Sequence, residues 1–442
     1  MQTRFRERKR GTDPLKLYRM RFNTLDQWLH WQETLNPKKI DLTLERVQQV
    51  LSAMQLLPPP YAVITVAGTN GKGSCVAMLS AILKAGGYRV GSYTSPHIYR
   101  YNERIAINGE SVDDESIMTS FERIDQARGE IPLTYFEFST LAAIDIFAQS
   151  QVDVAVLEVG LGGRLDATNA VDADAALIAS IGIDHIAWLG DNRELIGFEK
   201  AGIFRANKPA ICGDFDPPLS VRRVAEELGA EWQTANEDFG YRKENGAWTW
   251  WGKDKQRASL PMPALRGEVQ LANAAAVIAI LETLSSRFPL SQADIRAGLQ
   301  AVSLPARFQV IPGDVVRIYD VAHNVAAAEE LAKRLALLPS QGQTVAVCSM
   351  LEDKDIAGVV KPLVDLIDCW HVFAMQTARA ASIDQLSTAL LEAGAKQFVS
   401  HSDPESTWKA ALEKANPGDR ILVFGSFYAV ADIMRLDEIE IS

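Results

Sequence analysis

The chain has 442 residues, 47% of them hydrophobic, with a formal net charge of −11 and a pI near 5.2. That length calls for two or three domains with well-filled cores. The acidic balance excludes nucleic acid and anionic membrane as main partners, because both demand a basic face, and it suits an enzyme of small substrates.

Residues 1 to about 22 depart from that balance, with eight Lys or Arg against Glu7 and Asp13. They lack the apolar core of a targeting peptide and read as a partly ordered basic extension. Residues 24 to 57 read as two amphipathic helical pieces, "LDQWLHWQETL" and "LTLERVQQVLSAMQLL", separated at Asn36-Pro37 and stopped by Pro58-Pro59-Pro60. "VITV", Val63 to Val66, is β-branched and apolar, as a buried parallel strand is, and Ser74 to Lys84 has helical spacing before the Gly86-Gly87 stop. Between them "GTNGKGS", Gly68 to Ser74, is a loop that glycines let approach a ligand closely. Strand, glycine loop and helix N-terminus make an anion site, with Lys72 as a mobile positive charge and the Ser74 hydroxyl beside a magnesium ion. The loop is shorter than the standard phosphate loop, and Gly73 intervenes between Lys72 and Ser74.

Further strand candidates are "VDVAVLEVG", "AALIASIG" and "KPAICGD", alternating with helical stretches as in a parallel sheet whose ligands gather at the carboxyl ends of its strands. Glu158 closes one of them near the phosphate loop and is a magnesium candidate. His185 is taken to end another; alone it would be a capping or core histidine, but Asp184-His185 beside Glu158 and the loop points to a metal site. Asn245-Gly246 predicts a hairpin whose Trp248, Trp250 and Trp251 pack as core rather than bind a ring. A helix resumes at "QLANAAAVIAILETL", and residues 303 to 315 read as a linker. Beyond it "VVRIYDVAHN", "TVAVCSM", "CWHVFAM", "KQFVS" and "RILVFGS" predict five strands of a second, smaller α/β domain. Cys75, Cys212, Cys348 and Cys369 form no Cys-x-x-Cys pair and read as reduced, buried thiols of a cytoplasmic protein. No run of eighteen apolar residues occurs, so no membrane span is expected.

"GTNGKGS", followed in order by "TSPHI", "NERI" and "EVGLGGRLDATN", resembles the folylpolyglutamate synthase and dihydrofolate synthase family of the ATP-dependent Mur ligases. The likeness runs from "KKIDLTLERV" to "GSFYAV". It implies a Mur-ligase-like P-loop ATPase domain with a parallel sheet and small hairpin region over residues 1–303, then a smaller Rossmann-like α/β glutamate-ligase domain over 304–442. The implied activity is ATP-dependent addition of L-glutamate to dihydropteroate and to folyl-glutamates by a monomer, with Mg2+ at two sites. A monofunctional folylpolyglutamate synthase, a Mur-type amino-acid ligase and a regulatory ATPase are the alternatives.

The resemblance assigns roles residue by residue. Thr69, Asn70, Gly71, Lys72, Gly73 and Ser74 hold the ATP phosphates, with Asn273, Arg307 and Asp320 as further ATP contacts. Ser95, Glu158 and His185 are magnesium ligands. Ile40, Asp41 and Leu42, Thr134, Tyr135, Phe136 and Glu137, and Leu165, Asp166 and Ala167 match dihydropteroate-binding segments. Lys200 of "EKAGI" matches a lysine that such enzymes often carry as a carbamate, and His323 and Ser426 are candidates for the incoming glutamate. Lys72, Lys200 and His323 are the catalytic candidates. Each has a plainer rival: Phe136 as core, Lys200 as a solvated helix lysine, Asp320 as a turn cap, Asp166 as a helix cap. Two residues depart from the family pattern, Ala306 where glycine is common and Val325 where proline is.

Overall fold

The computed structural model describes residues 20–440, so most of the basic extension lies outside the described residues. Arg21, at its end, donates to Asp125 at 2.7 Å and lies over the Trp31 ring.

The larger sheet has eight strands. In order across it they are Glu110–Ser111, Ile105–Ile107, Val90–Tyr93, Val154–Glu158, Ala62–Ala67, Ala175–Ile178, Pro209–Cys212 and Glu231–Thr234. The last six run parallel, and the first two add an antiparallel edge. Every residue of Ala62–Ala67 and of Val154–Glu158 is buried, because helices cover both faces and a continuous apolar run is then required. One face packs on the helices Lys72–Ala85, Glu268–Thr283 and Gln292–Ala301. The opposite face packs on Leu25–Leu35, Glu45–Ala53, Asp114–Arg128 and Tyr135–Gln149.

The expected hairpin is one corner of a three-stranded antiparallel sheet, Phe239–Glu244, Ala247–Gly252 and Gln256–Pro261. Trp248 and Trp250 are fully buried in the core, and their indole N–H groups donate to Pro261 O and Ala275 O. They are packing residues, as anticipated, whereas Trp251 is only half-buried and lies against Gly240.

The second sheet has six strands, ordered Gln309–Ile311, Val316–Tyr319, Arg420–Phe424, Thr344–Cys348, Cys369–Phe373 and Phe398–His401. The five anticipated strands are present and parallel. The stretch read as a linker is only partly one, since Gln309–Ile311 pairs antiparallel with Val316–Tyr319. Three residues are too short for a periodicity signal, and this strand forms only because a neighbouring edge is offered. All four cysteines are free thiols; Cys75, Cys212 and Cys348 are buried, while Cys369 is half-buried. Among the described residues no helix is long and apolar enough to cross a membrane.

Candidate active site

The phosphate loop leaves the carboxyl end of Ala62–Ala67 and enters the helix Lys72–Ala85. Gly71 occupies the left-handed region at φ 85, and a Cβ there would lie 2.8 Å from Asn273 Oδ1. Glycine therefore both makes the turn and admits the buried Asn273. The Thr69 N–H donates to Ser180 O and the Asn70 N–H to Ser180 Oγ, at 2.8 and 3.1 Å, so these two amides brace the loop rather than face a ligand. The first helical hydrogen bond runs from Cys75 N to Gly71 O, which leaves the amides just before it pointing out of the helix end. Lys72 Nζ donates to Gly68 O and Thr69 O at 2.9 and 3.2 Å.

Glu158, last residue of its strand, is buried beside this loop and accepts the Ser95 N–H at 3.3 Å. Burial pushes its carboxyl upward in pKa, against the pull of Lys72 and Arg307. The expectation that His185 ends a strand is corrected: Ala175–Ile178 ends seven positions earlier. His185 instead precedes the short helix Ile186–Leu189 with φ 52 and is exposed. Ser95 and Glu158 offer hard oxygen donors. Among the described residues no three His, Cys, Asp or Glu side chains converge into a cage. Such a partial set fits magnesium, which keeps waters and phosphate oxygens in its coordination shell.

The segments matched to dihydropteroate meet at the end of the helix Tyr135–Gln149. Thr134 and Glu137 form its reciprocal capping box, with N···O distances of 3.2 and 2.7 Å. Glu137 also binds Arg46 at 2.8 Å, and Arg46 binds Asp41 at 2.8 Å, tying the half-buried Ile40–Leu42 stretch to the helix start. Phe136 lies against Gly160, where a Cβ would come within 2.4 Å of its ring, and 6.0 Å from the Tyr93 ring. Asp166 is buried and committed: it accepts Leu161 N, Thr168 N and Thr168 Oγ1 at 2.9, 3.0 and 2.7 Å. The capping alternative for Asp166 is thus present in the fold, with Leu165 half-buried and Ala167 buried beside it.

Lys200 is 3% exposed on the helix Arg193–Ala201, so the solvated-lysine alternative is excluded. Burial, then the charge of Lys72, lowers its pKa to about 7.

Asp320 follows Val316–Tyr319 and accepts Phe308 N and Ala322 N, both at 2.8 Å, which fixes the turn as its plainer rival required. Arg307 lies 5.0 Å over the Phe427 ring. Ala306 has φ 55, the left-handed region where glycine is preferred, so the backbone explains the common glycine and not the alanine that replaces it here. Val325 simply opens the helix Val325–Leu337 after the Asn324 cap. His323 Nδ1 lies 2.8 Å from Val321 O, and its Nε2 is 3.7 Å from Asp184 Oδ2. Ser426 is buried; its hydroxyl caps Phe427–Leu436 through Ala429 N and also meets Met375 Sδ.

Asn324 and Lys354, which had no assigned role, and Asp184, named beside His185 for the metal site, join the two sheets. Asn70 and Asn324 exchange side-chain amide hydrogen bonds at 3.1 and 3.0 Å. Asp184 accepts Asn324 Nδ2 at 3.1 Å and Lys354 Nζ at 2.6 Å. Asn324 sits inside the quoted "DVAHN", but nothing in "LEDKD" marks Lys354.

Comparison with known proteins places this geometry. Residues 66–281 match the Mur ligase middle domain and residues 306–427 the Mur ligase glutamate ligase domain. The dihydrofolate synthase/folylpolyglutamate synthase of Escherichia coli K12 is 44% identical over 412 residues, covering 93% of this chain and 95% of that protein. The chain belongs to the dihydrofolate synthase/folylpolyglutamate synthase family. E. coli FolC in complex with DHPP and ADP superposes with a TM-score of 0.89 at 42% identity, covering 94% of this chain and 98% of that one. A bifunctional folylpolyglutamate synthase/dihydrofolate synthase with Mn, AMPPNP and L-glutamate bound gives 0.87 at 45% identity, covering 94% and 98%. The dihydrofolate synthase/folylpolyglutamate synthase fold therefore extends over nearly all of the described chain.

Proposed function

We propose that this protein joins L-glutamate to dihydropteroate, and to folyl-glutamates, with ATP as the phosphoryl donor. The observation that carries the reading is the meeting of the Gly68–Ser74 loop with buried Glu158 on one side and Asn324 and His323 of the second sheet on the other. A phosphoryl site so enclosed by two units suits a ligase, whose activated intermediate must be kept from water.

A carboxylate is a poor acyl donor. One of its oxygens attacks the γ-phosphorus of ATP, ADP leaves, and an acyl phosphate results. The amine of L-glutamate then attacks the acyl carbon, and phosphate departs carrying that oxygen. The helix-end amides, Lys72 and Arg307 neutralise the charge on the transferring group, which is electrostatic catalysis plus positioning. A magnesium ion held by Ser95, Glu158 and His185 would add Lewis acidity at the phosphates. Asn273 stands at the loop for the nucleotide, and Phe136 offers a ring face for the pterin. Lys200, uncharged over part of the neutral range, is suited to carry a carbamate. His323, beside Asp184, is with Ser426 our candidate for the incoming glutamate. We take residues 1–303 as the ATP-binding unit and 304–442 as the glutamate-ligase unit, in a cytoplasmic monomer.

The test is oxygen transfer. Dihydropteroate labelled with heavy oxygen in its carboxylate should yield one labelled oxygen per phosphate released during amide synthesis. Unlabelled phosphate with full amide yield would rule out the acyl phosphate. Steady ADP release without any pterin would favour a regulatory ATPase.

A further inference from the structure

The segment "NERI", Asn102 to Ile105, has no part in the assignments above, yet it organises the loop that carries Ser95. The Glu103 carboxylate accepts the N–H groups of Ile98, Tyr99 and Arg100 at 2.7, 2.7 and 2.6 Å. The Asn102 amide donates to Val112 O at 2.9 Å and to Asp114 at 2.8 Å. These side chains are satisfied locally, and a structural role accounts for them.

Arg104 is different. It is only 9% exposed, and its guanidinium lies 5.6 Å from the ring centroids of both Tyr101 and Tyr135. Its Nε donates to His97 Nδ1 at 2.9 Å. Among the described residues it has no ion pair, and neither terminal nitrogen makes a hydrogen bond. Two other arginines, half-buried Arg46 and buried Arg420, are paired in place. Arg46 binds Asp41 and Glu137, while Arg420 donates to Thr344 Oγ1 and to the carbonyls of Leu335 and Leu338. A guanidinium has five N–H donors in a planar fork, and here four of them, on terminal nitrogens that keep some contact with solvent, remain open to a ligand.

Its position indicates what that partner is. On one side the Arg104 carbonyl accepts the Thr94 N–H at 2.9 Å, which sets Arg104 beside Ser95 at the phosphate end of the site. On the other it lies beneath Tyr135, the neighbour of Phe136 in the segment assigned to the pterin. An acyl donor spanning from Phe136 to the phosphate loop carries its carboxylate through this interval. We infer that Arg104 receives the carboxylate of the acyl donor and aims it at the phosphoryl group, a fork-to-carboxylate contact that fixes orientation as well as affinity. The inference rests on the ligase reading given above.

The experiment compares two ligands, dihydropteroate and the same molecule with its carboxylate converted to a carboxamide. Equilibrium binding of each is measured by fluorescence on the wild-type protein and on Arg104→Met, which keeps an apolar stem between the two tyrosine rings. Wild type is expected to prefer the carboxylate by roughly 10- to 100-fold, the scale of a hydrogen bond to a charged group. Arg104→Met is expected to lose most of that preference while binding the carboxamide within about 3-fold of wild type, a selectivity that a purely structural role would not produce. If Arg104→Met does not fold, Arg104→Gln gives the same comparison. An undiminished preference in the variant, or equal weakening of both ligands, overturns the assignment. Wild type binding both ligands equally well overturns it too and leaves the ligase reading standing; wild type binding neither overturns both.

Discussion

Lys354 Nζ lies 2.6 Å from Asp184 Oδ1, joining the loop beside His185 to the second sheet, with both side chains at most 10% exposed. Burial would raise the Asp184 carboxyl, but His323, His185 and Lys354 together hold it well below the usual carboxylate range. Because the folded pKa is the lower one, the stabilisation is present above the unfolded value near ~4 and is lost only as pH falls through the folded value. Removing Lys354 strands a buried anion, so Lys354→Met should destabilise the protein by ~3–5 kcal/mol. The double variant Lys354→Met with Asp184→Asn should recover part of that loss. Denaturant unfolding at pH 7 reads both, and strictly additive losses would mean that the pair is not coupled.

Lys72 now donates to two loop carbonyls, bonds that it must exchange for phosphate oxygens in order to act. Lys72→Ala should lower turnover by at least ~10²-fold, the scale for one lost electrostatic donor. Steady-state ADP release with dihydropteroate and L-glutamate measures it. Near-normal turnover would make Lys72 a loop brace only.

Lys200 carries the clearest pH signature. With its folded pKa lowered to about 7 by burial, the amine is largely neutral above that pH, while an unfolded lysine keeps its proton until ~10.4. Between those values the unfolded chain binds more protons, so this group makes stability rise with pH. A carbamate forms on the neutral amine. At fixed dissolved carbon-13 CO2, its NMR signal should therefore grow from pH 6 to 8 and be missing from Lys200→Ala. A signal that first emerges near pH 10 would show an ordinary ammonium. Partial rescue of Lys200→Ala by a short carboxylate, and not by a short amine, is the companion result.

Phe136 and Asp166 should part company on mutation. Phe136→Ala removes a half-buried ring face and should weaken dihydropteroate binding more than ATP binding. Asp166→Ala orphans Leu161 N, Thr168 N and Thr168 Oγ1, and each buried donor left unpaired costs ~1–3 kcal/mol. It should lower thermal stability as well as pterin affinity. Unchanged stability for Asp166→Ala would mean that its loop is held by other contacts.

The sequence by itself determined the elements whose physics is local. β-branched runs such as Val63–Val66 are strands because they are apolar on both faces. "GTNGKGS" is an anion loop because glycines and a following helix suffice to expose backbone amides. Asn245-Gly246 made a hairpin for the same kind of reason, two residues tolerant of positive φ between β-formers. Tertiary structure alone decided the rest. Whether Asp166 and Asp320 are free to meet a ligand depends on which distant or looping amides they already accept, and no spacing rule counts those. The strand Gln309–Ile311 exists because Val316–Tyr319 offers it an edge. Lys354 meets Asp184 across 170 positions of sequence, and Arg104 is left underbonded only by what fails to surround it. Periodicity and turn chemistry act within a few residues, whereas the partner of a buried charge is chosen by how whole sheets and helices pack.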